Sequence, residues 1–122
     1  MHMRLLLLLG SLCLAGCYSD PYEAIRDRNK ANLVQIGLGN TKAQVLAACG
    51  TPDKNEQFNK GGVNFDVLFY YTDYIAYNAG KTWETGHTPV LLKDGKVIGI
   101  GWRAMRVNGI ESSDISIETR SR

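Results

Sequence analysis

The sequence predicts an α+β fold in which two N-terminal helices pack on a three-stranded antiparallel meander, an ααβββ order arranged as a two-layer sandwich. Three observations predict it. Helix-capping signatures occur early, at Asp20 and Thr41, the apolar pattern switches to a period of two from Val63, and Asp94-Gly95 marks a tight hairpin between two apolar runs.

The segment ahead of these elements has a separate purpose. Met1-His2-Met3-Arg4 is a short positive leader, and Leu5 to Gly16 is an apolar run that ends at Cys17. A membrane-crossing helix needs about 20 such residues, so the run is too short to span and has the length of a signal peptide core. Leu14-Ala15-Gly16-Cys17 resembles the lipobox of a bacterial lipoprotein precursor. That resemblance implies cleavage before Cys17 and lipid on its sulfur and new amino group. A single acyl chain binds a bilayer only marginally, whereas two or more anchor stably, so a triacylated Cys17 holds the protein on its membrane. Tyr18, rather than an aspartate, follows the cysteine. The implied location is therefore the outer membrane, facing the periplasm. The chain divides into a signal peptide (1–16), a lipidated tether (17–20), an α+β domain (21–108) and a polar, flexible tail (109–122).

In the first helix, Asp20 caps, Pro21 suits the first helical position and Glu23 has capping-box spacing, predicting a helix from Pro21 to about Val34. In the second, Thr41 and Gln44 form a capping box, while Gly50 and Pro52 end the helix. Two turns of helix do not persist alone, so this one must lie against a sheet. The first strand alternates Val63, Phe65, Val67, Phe69 and Tyr71 against Asn64, Asp66, Leu68 and Tyr70. A long loop rich in aromatics and turn formers follows, then a strand from Thr88 to Lys93, the Asp94-Gly95 turn, and a third strand from Lys96 to Met105. One sheet face takes the helices; the other, richer in polar and aromatic groups, is left open to solvent or a partner.

Charge and cysteines narrow the function. Taking Arg4 of the leader from 14 Lys and Arg leaves 13 against 12 Asp and Glu, a net charge of +1. Near-neutrality gives no reason to expect a nucleic-acid partner. Cys13 leaves with the leader and Cys17 takes lipid, so Cys49 is alone, cannot form an internal disulfide and is expected in the core. His87 is the one histidine of the mature chain and is expected as an exposed loop residue; with no second histidine and no cysteine near it in sequence, no metal site is expected. The carboxylates are scattered, and neither Gly37-x-Gly39 nor Gly99-x-Gly101 has the further residues of a phosphate loop. The expectation is a non-enzyme without cofactor other than the lipid on Cys17.

The element order behind a lipobox, with Gly39, Thr41, Val45, Gly50 and Pro52 in the stretch GLGNTKAQVLAACGTP, resembles the SmpA/OmlA (BamE-like) family of outer-membrane lipoproteins. The stretches FDVLFYYTD and TPVLLKDGKVIGIGW also resemble a related set of uncharacterised proteobacterial lipoproteins with the same fold. The resemblance runs from about Asn29 to Arg103. It implies a BamE-like sandwich and an accessory or scaffold role in a cell-envelope assembly, in that family the machinery that assembles β-barrels.

From the residues themselves, the aromatic cluster is the lead to function. Tyr and Trp anchor protein interfaces. Alternation assigns Phe65, Phe69, Tyr71 and Trp102 to the core, which leaves Tyr70, Tyr74, Tyr77 and Trp83 as the partner-binding candidates. The expected partners are the membrane, through Cys17, and other envelope proteins. The rival expectation is a periplasmic module that binds a small ligand or inhibits an enzyme.

Overall fold

Asp20 and Thr41 start helices as their side chains require. The computed structural model describes residues 20–115; Cys17 and Ile117 lie outside them. Helix α1 spans Pro21–Leu33, and the Asp20 carboxylate accepts from the Tyr22 backbone N–H at 2.9 Å. Helix α2 spans Lys42–Cys49 with the full reciprocal capping box: Gln44 N–H donates to Thr41 at 3.2 Å, and Thr41 N–H donates to Gln44 at 2.8 Å. It ends at Gly50, whose φ of 75° is a conformation that favours glycine.

The sheet has four antiparallel strands rather than three, in the order β1-β2-β3-β4: β1 Lys54–Lys60, β2 Val63–Tyr71, β3 His87–Lys93 and β4 Lys96–Ile100. The additional strand, β1, reads KNEQFNK, with Phe58 as its single large apolar residue. It is an edge strand, held to β2 across a full register from Lys54↔Phe69 to Lys60↔Val63. Polar side chains suit an edge, where they oppose unwanted pairing, but they erase the alternation that marks a half-buried strand. Its turn, Gly61-Gly62, has positive φ at both positions, as a two-residue hairpin demands.

The third predicted strand also changes. It stops at Ile100, and Gly101 (φ 94°) turns the chain into helix α4, Trp102–Val107. Gly99 permits this helix to fold back closely: a Cβ added there would sit 2.5 Å from the Ala104 Cβ.

Neither sheet face is left open, so the two-layer arrangement becomes three layers. Leu68, Tyr70, Val90, Leu92 and Val97 pack against Leu33, Ile36, Val45 and Cys49 on the α1–α2 side. On the other side, Val67, Phe69 and Leu91 meet Met105, Ile110 and Ile115, with Phe65, Trp83 and Trp102 at the margin. The stretch expected to begin a flexible tail thus supplies two buried isoleucines up to residue 115. Coverage on both sides explains why β3 reads TPVLL, a continuous apolar run rather than an alternation.

Candidate functional site

At the end of the sheet where β2 finishes and β3 begins, α1 and the 72–86 connection enclose an open cleft of about 680 Å³. Its walls come from distant parts of the chain: Asp20, Tyr22 and Ile25 from the start of α1, Asp53 before β1, Tyr71 at the end of β2 and Tyr74 after it, and Trp83 and His87 around helix α3, the single turn Trp83–Gly86.

Arg26 organises one wall. Its guanidinium donates to Asp20 Oδ2 from both terminal nitrogens at 3.2 Å and to the Tyr71 hydroxyl at 3.0 Å. It also lies 5.5 Å from the Tyr71 ring centre and 5.8 Å from that of Tyr74. The Tyr71 hydroxyl, then Asp20, raise its pKa above the ordinary arginine value. The Asn29 side-chain amide donates to the Tyr71 carbonyl at 2.8 Å, fastening the middle of α1 to the same point. Tyr22 meets Tyr71 edge-on at 6.4 Å.

His87 organises the other wall, and it is not the exposed loop residue expected. It is buried as the first residue of β3. Its Nδ1 is 2.8 Å from the Trp83 carbonyl and its Nε2 is 2.9 Å from Asp53 Oδ2. Both partners accept, so the imidazolium form donates to both, whereas a neutral ring donates to one. The Trp83 ring stacks on the imidazole at 4.0 Å and 19°, and its other neighbours are Phe69, at 5.1 Å, and the Lys54 ammonium, at 5.9 Å. Trp102 braces the same turn from outside the cleft, its indole N–H shared between the Glu84 and His87 carbonyls at 2.8 Å each. With both ring nitrogens engaged, His87 acts here as a rivet between β1, α3 and β3.

The four partner-binding candidates separate. Tyr70 is corrected: it is 1% exposed, on the sheet face covered by α1 and α2, and its hydroxyl donates to the Gly50 carbonyl at 2.9 Å. Burial pushes its pKa up to about 12. The alternation misassigned it because both faces of β2 are covered. Trp83 is half-buried, one face on His87. Tyr74, 53% exposed, stands on the rim together with Tyr22, at 60%, which the sequence missed; Tyr77 is 68% exposed on the 72–86 connection, outside the cleft's lining. No local signal singles out Tyr22, Arg26 or Asp53; they join the site only through the tertiary fold. Cys49 is buried, and burial raises its thiol pKa, which disfavours the reactive thiolate.

Among the described residues, no group of three or more His, Cys, Asp and Glu is placed to hold a metal, and no helix is long and apolar enough to cross a membrane. Fold and site together define a small α+β domain with a riveted core and a tyrosine-rimmed cleft. Residues 17–107 match DUF3192, a family of proteins of unknown function, and the chain belongs to that family. No curated protein and no solved structure matches it.

Proposed function

We propose that this is a lipid-anchored outer-membrane protein that acts without catalysis, as an accessory or scaffold subunit of a cell-envelope assembly, and that it binds its partner through the tyrosine rim. The observation that carries the reading is the exposure of Tyr22 and Tyr74 beside a wall that internal bonds already hold rigid, with Tyr77 exposed on the same 72–86 connection as Tyr74. Tyrosines presented on a fixed scaffold lose little conformational entropy on binding, which is why they make effective interface anchors. The engagement of His87, the candidate general base, by two internal acceptors supports a non-catalytic role. The start of the family match at Cys17, the first mature residue in the lipobox reading, supports the anchor. Barrel assembly, the role implied by the SmpA/OmlA resemblance, is the most specific form of the proposal.

The test is a Tyr74→Ser, Tyr77→Ser double variant recovered from detergent-solubilised membranes. Both side chains are largely exposed, so stability should stay within about 0.5 kcal/mol per site. Partner recovery should drop. Unchanged recovery with an intact fold would remove the rim from the account.

A second reading has its own observation, because the cleft's 680 Å³ falls within the range of small-ligand pockets, roughly 300–1,000 Å³. Native mass spectrometry of the purified protein decides it: a stoichiometric small-molecule adduct supports a ligand-binding module.

A further inference from the structure

We infer that the chain pairs with a second copy of itself along the free edge of β1, antiparallel about a two-fold axis at Phe58, so that the two sheets become one continuous sheet. The inference is independent of the lipid anchor and of the tyrosine rim.

The two edges of the sheet are treated differently. Along β4 the chain covers its own edge: Gly39 N–H donates to the Val97 carbonyl at 2.8 Å, Val97 N–H donates to the Asn40 carbonyl at 2.8 Å, and Thr41 bridges Lys96. Along β1 the backbone is left open. Asp94 N–H donates to the Asn64 carbonyl at 3.0 Å, so the Asn64 backbone faces β3, and that of Asn59, opposite it on β1, faces outward. Alternation turns the N–H and C=O groups of Asn55 and Gln57 the same way. Among the described residues, none of these backbone groups has a partner. From Lys54 to Lys60 the strand keeps full register with β2, without the proline, bulge or positive φ that ordinarily spoils an edge for pairing.

The side chains select the occupant. Glu56, Phe58 and Lys60 share one face of β1, and Gln57 and Asn59 share the other, so EQFNK laid antiparallel on itself is self-complementary. Centred on Phe58, the pairing sets Glu56 against Lys60 of the second copy, Gln57 against its Asn59, and Phe58 against its Phe58. Other registers are worse. Centred on Gln57, the pairing opposes Lys54 and Lys60; centred on Glu56, it opposes two carboxylates; centred on Asn59, it leaves both charges unmatched. Like charges directly opposite destabilise a strand pair, so the flanking charges that discourage general pairing also specify this one. Lys60 donates to Asp114 at 2.6 Å and to the Gly109 carbonyl at 2.7 Å, and its ammonium has a third hydrogen for Glu56 of the second copy. Phe58 is half-buried and stacks on Phe65 at 5.6 Å, and pairing covers its open side with the same ring from the other chain. A patch complementary to itself under a two-fold axis closes a dimer, and with β4 covered no second edge is left to extend it.

The test is a cysteine scan of the full chain in cells under mild oxidation, with Gln57→Cys, Phe58→Cys and Asn59→Cys made singly. The unsubstituted chain, whose Cys49 is buried, is the control. Phe58→Cys should give a disulfide-linked dimer and the other two should not. Only position 58 meets itself across the axis, at a Cα separation of about 4.5 Å that a disulfide can span. Because Phe58→Cys removes a ring, the native strand is tested in parallel by sedimentation of the purified full chain. The wild type should show a concentration-dependent dimer and Gln57→Pro a monomer. The Gln57 N–H points outward, so proline there spares the β1–β2 ladder, and urea unfolding of the variant should remain cooperative. Equal linkage at all three positions, linkage to a different protein, a monomeric wild type, or a folded Gln57→Pro that still dimerises overturns the inference.

Discussion

Replacing Tyr70 with Phe removes one oxygen from the interior and tests two statements at once. In the native fold that hydroxyl is buried and donates to the Gly50 carbonyl at 2.9 Å, tying the end of α2 to the sheet. Phe keeps the ring and leaves the carbonyl without its partner. Stranding a buried acceptor costs about 1–3 kcal/mol, so Tyr70→Phe should lose about 1–2 kcal/mol at neutral pH. For a domain of this size that lowers Tm by about 4–8 °C per kcal/mol. The alkaline limb should move the other way. Tyr70 has its folded pKa raised to about 12 from an ordinary 10, mainly by burial. A raised folded pKa means the stability it supports is intact below pH 10 and is lost as pH rises toward 12. At 1.36 kcal/mol per pKa unit, the wild type should lose roughly 2–3 kcal/mol over that window, and Tyr70→Phe should lack this component. Urea unfolding followed by the fluorescence of Trp83 and Trp102, at pH 7 and across pH 9–11.5, measures both limbs. A variant with the wild-type midpoint at pH 7 and an unchanged alkaline slope would refute the burial of this hydroxyl and restore Tyr70 as a surface candidate.

The remaining predictions concern the rivet, the close approach and the C-terminal segment. His87→Ala should destabilise the domain by about 2–4 kcal/mol, since it strands the Trp83 carbonyl and removes the ring on which Trp83 stacks; a change below half a kcal/mol in denaturant unfolding would contradict the rivet. Gly99→Ala should cost about 1–3 kcal/mol, because the new methyl meets the Ala104 Cβ at 2.5 Å and pushes α4 off the sheet; Gly99→Ala with Ala104→Gly should recover part of it in the same assay. Asp114 binds the Lys60 ammonium at 2.6 Å, and chiefly that bond holds its carboxyl below the ordinary carboxylate value. A lowered folded pKa supplies stability above the ordinary carboxylate range that disappears as pH falls through the folded value. Proteolytic cutting near residue 115 should thus speed up in acid in the wild type, and Asp114→Asn should cut at the faster rate at neutral pH; equal neutral rates would contradict the pair.

Local rules that need only neighbouring residues were legible. Thr41, Gln44, Gly50 and Pro52 specify α2 because capping and termination are decided within one turn at each end. Asp94-Gly95 similarly specifies the β3–β4 hairpin, with positive φ at both residues. Gly61-Gly62 carries the same kind of information, but the polar strand ahead of it offered no alternation for the turn to connect. Helix α4 was hidden because Trp102 continues the alternation of Ile98 and Ile100; only Gly101 and the helical spacing of Trp102 to Met105 mark the change. The site was less legible still. Tyr74 and Tyr77 were visible as aromatics with no core position, whereas Tyr70 looked the same and is core. Asp53, Arg26 and His87 acquire meaning only when strand pairing and helix packing bring residues 20–26, 53, 71–74 and 83–87 to one end of the sheet.

The function proposed above requires that the exposed tyrosines of the anchored domain meet another envelope protein. Crosslinking in intact cells from a photoprobe at Tyr77, which is more exposed than the stacked and half-buried Trp83, tests it most directly. A discrete adduct with another envelope protein is expected, identified by mass spectrometry and lost when Tyr22 and Tyr74 are both replaced by Ser. An anchored, folded protein that yields no protein adduct from position 77 would contradict it.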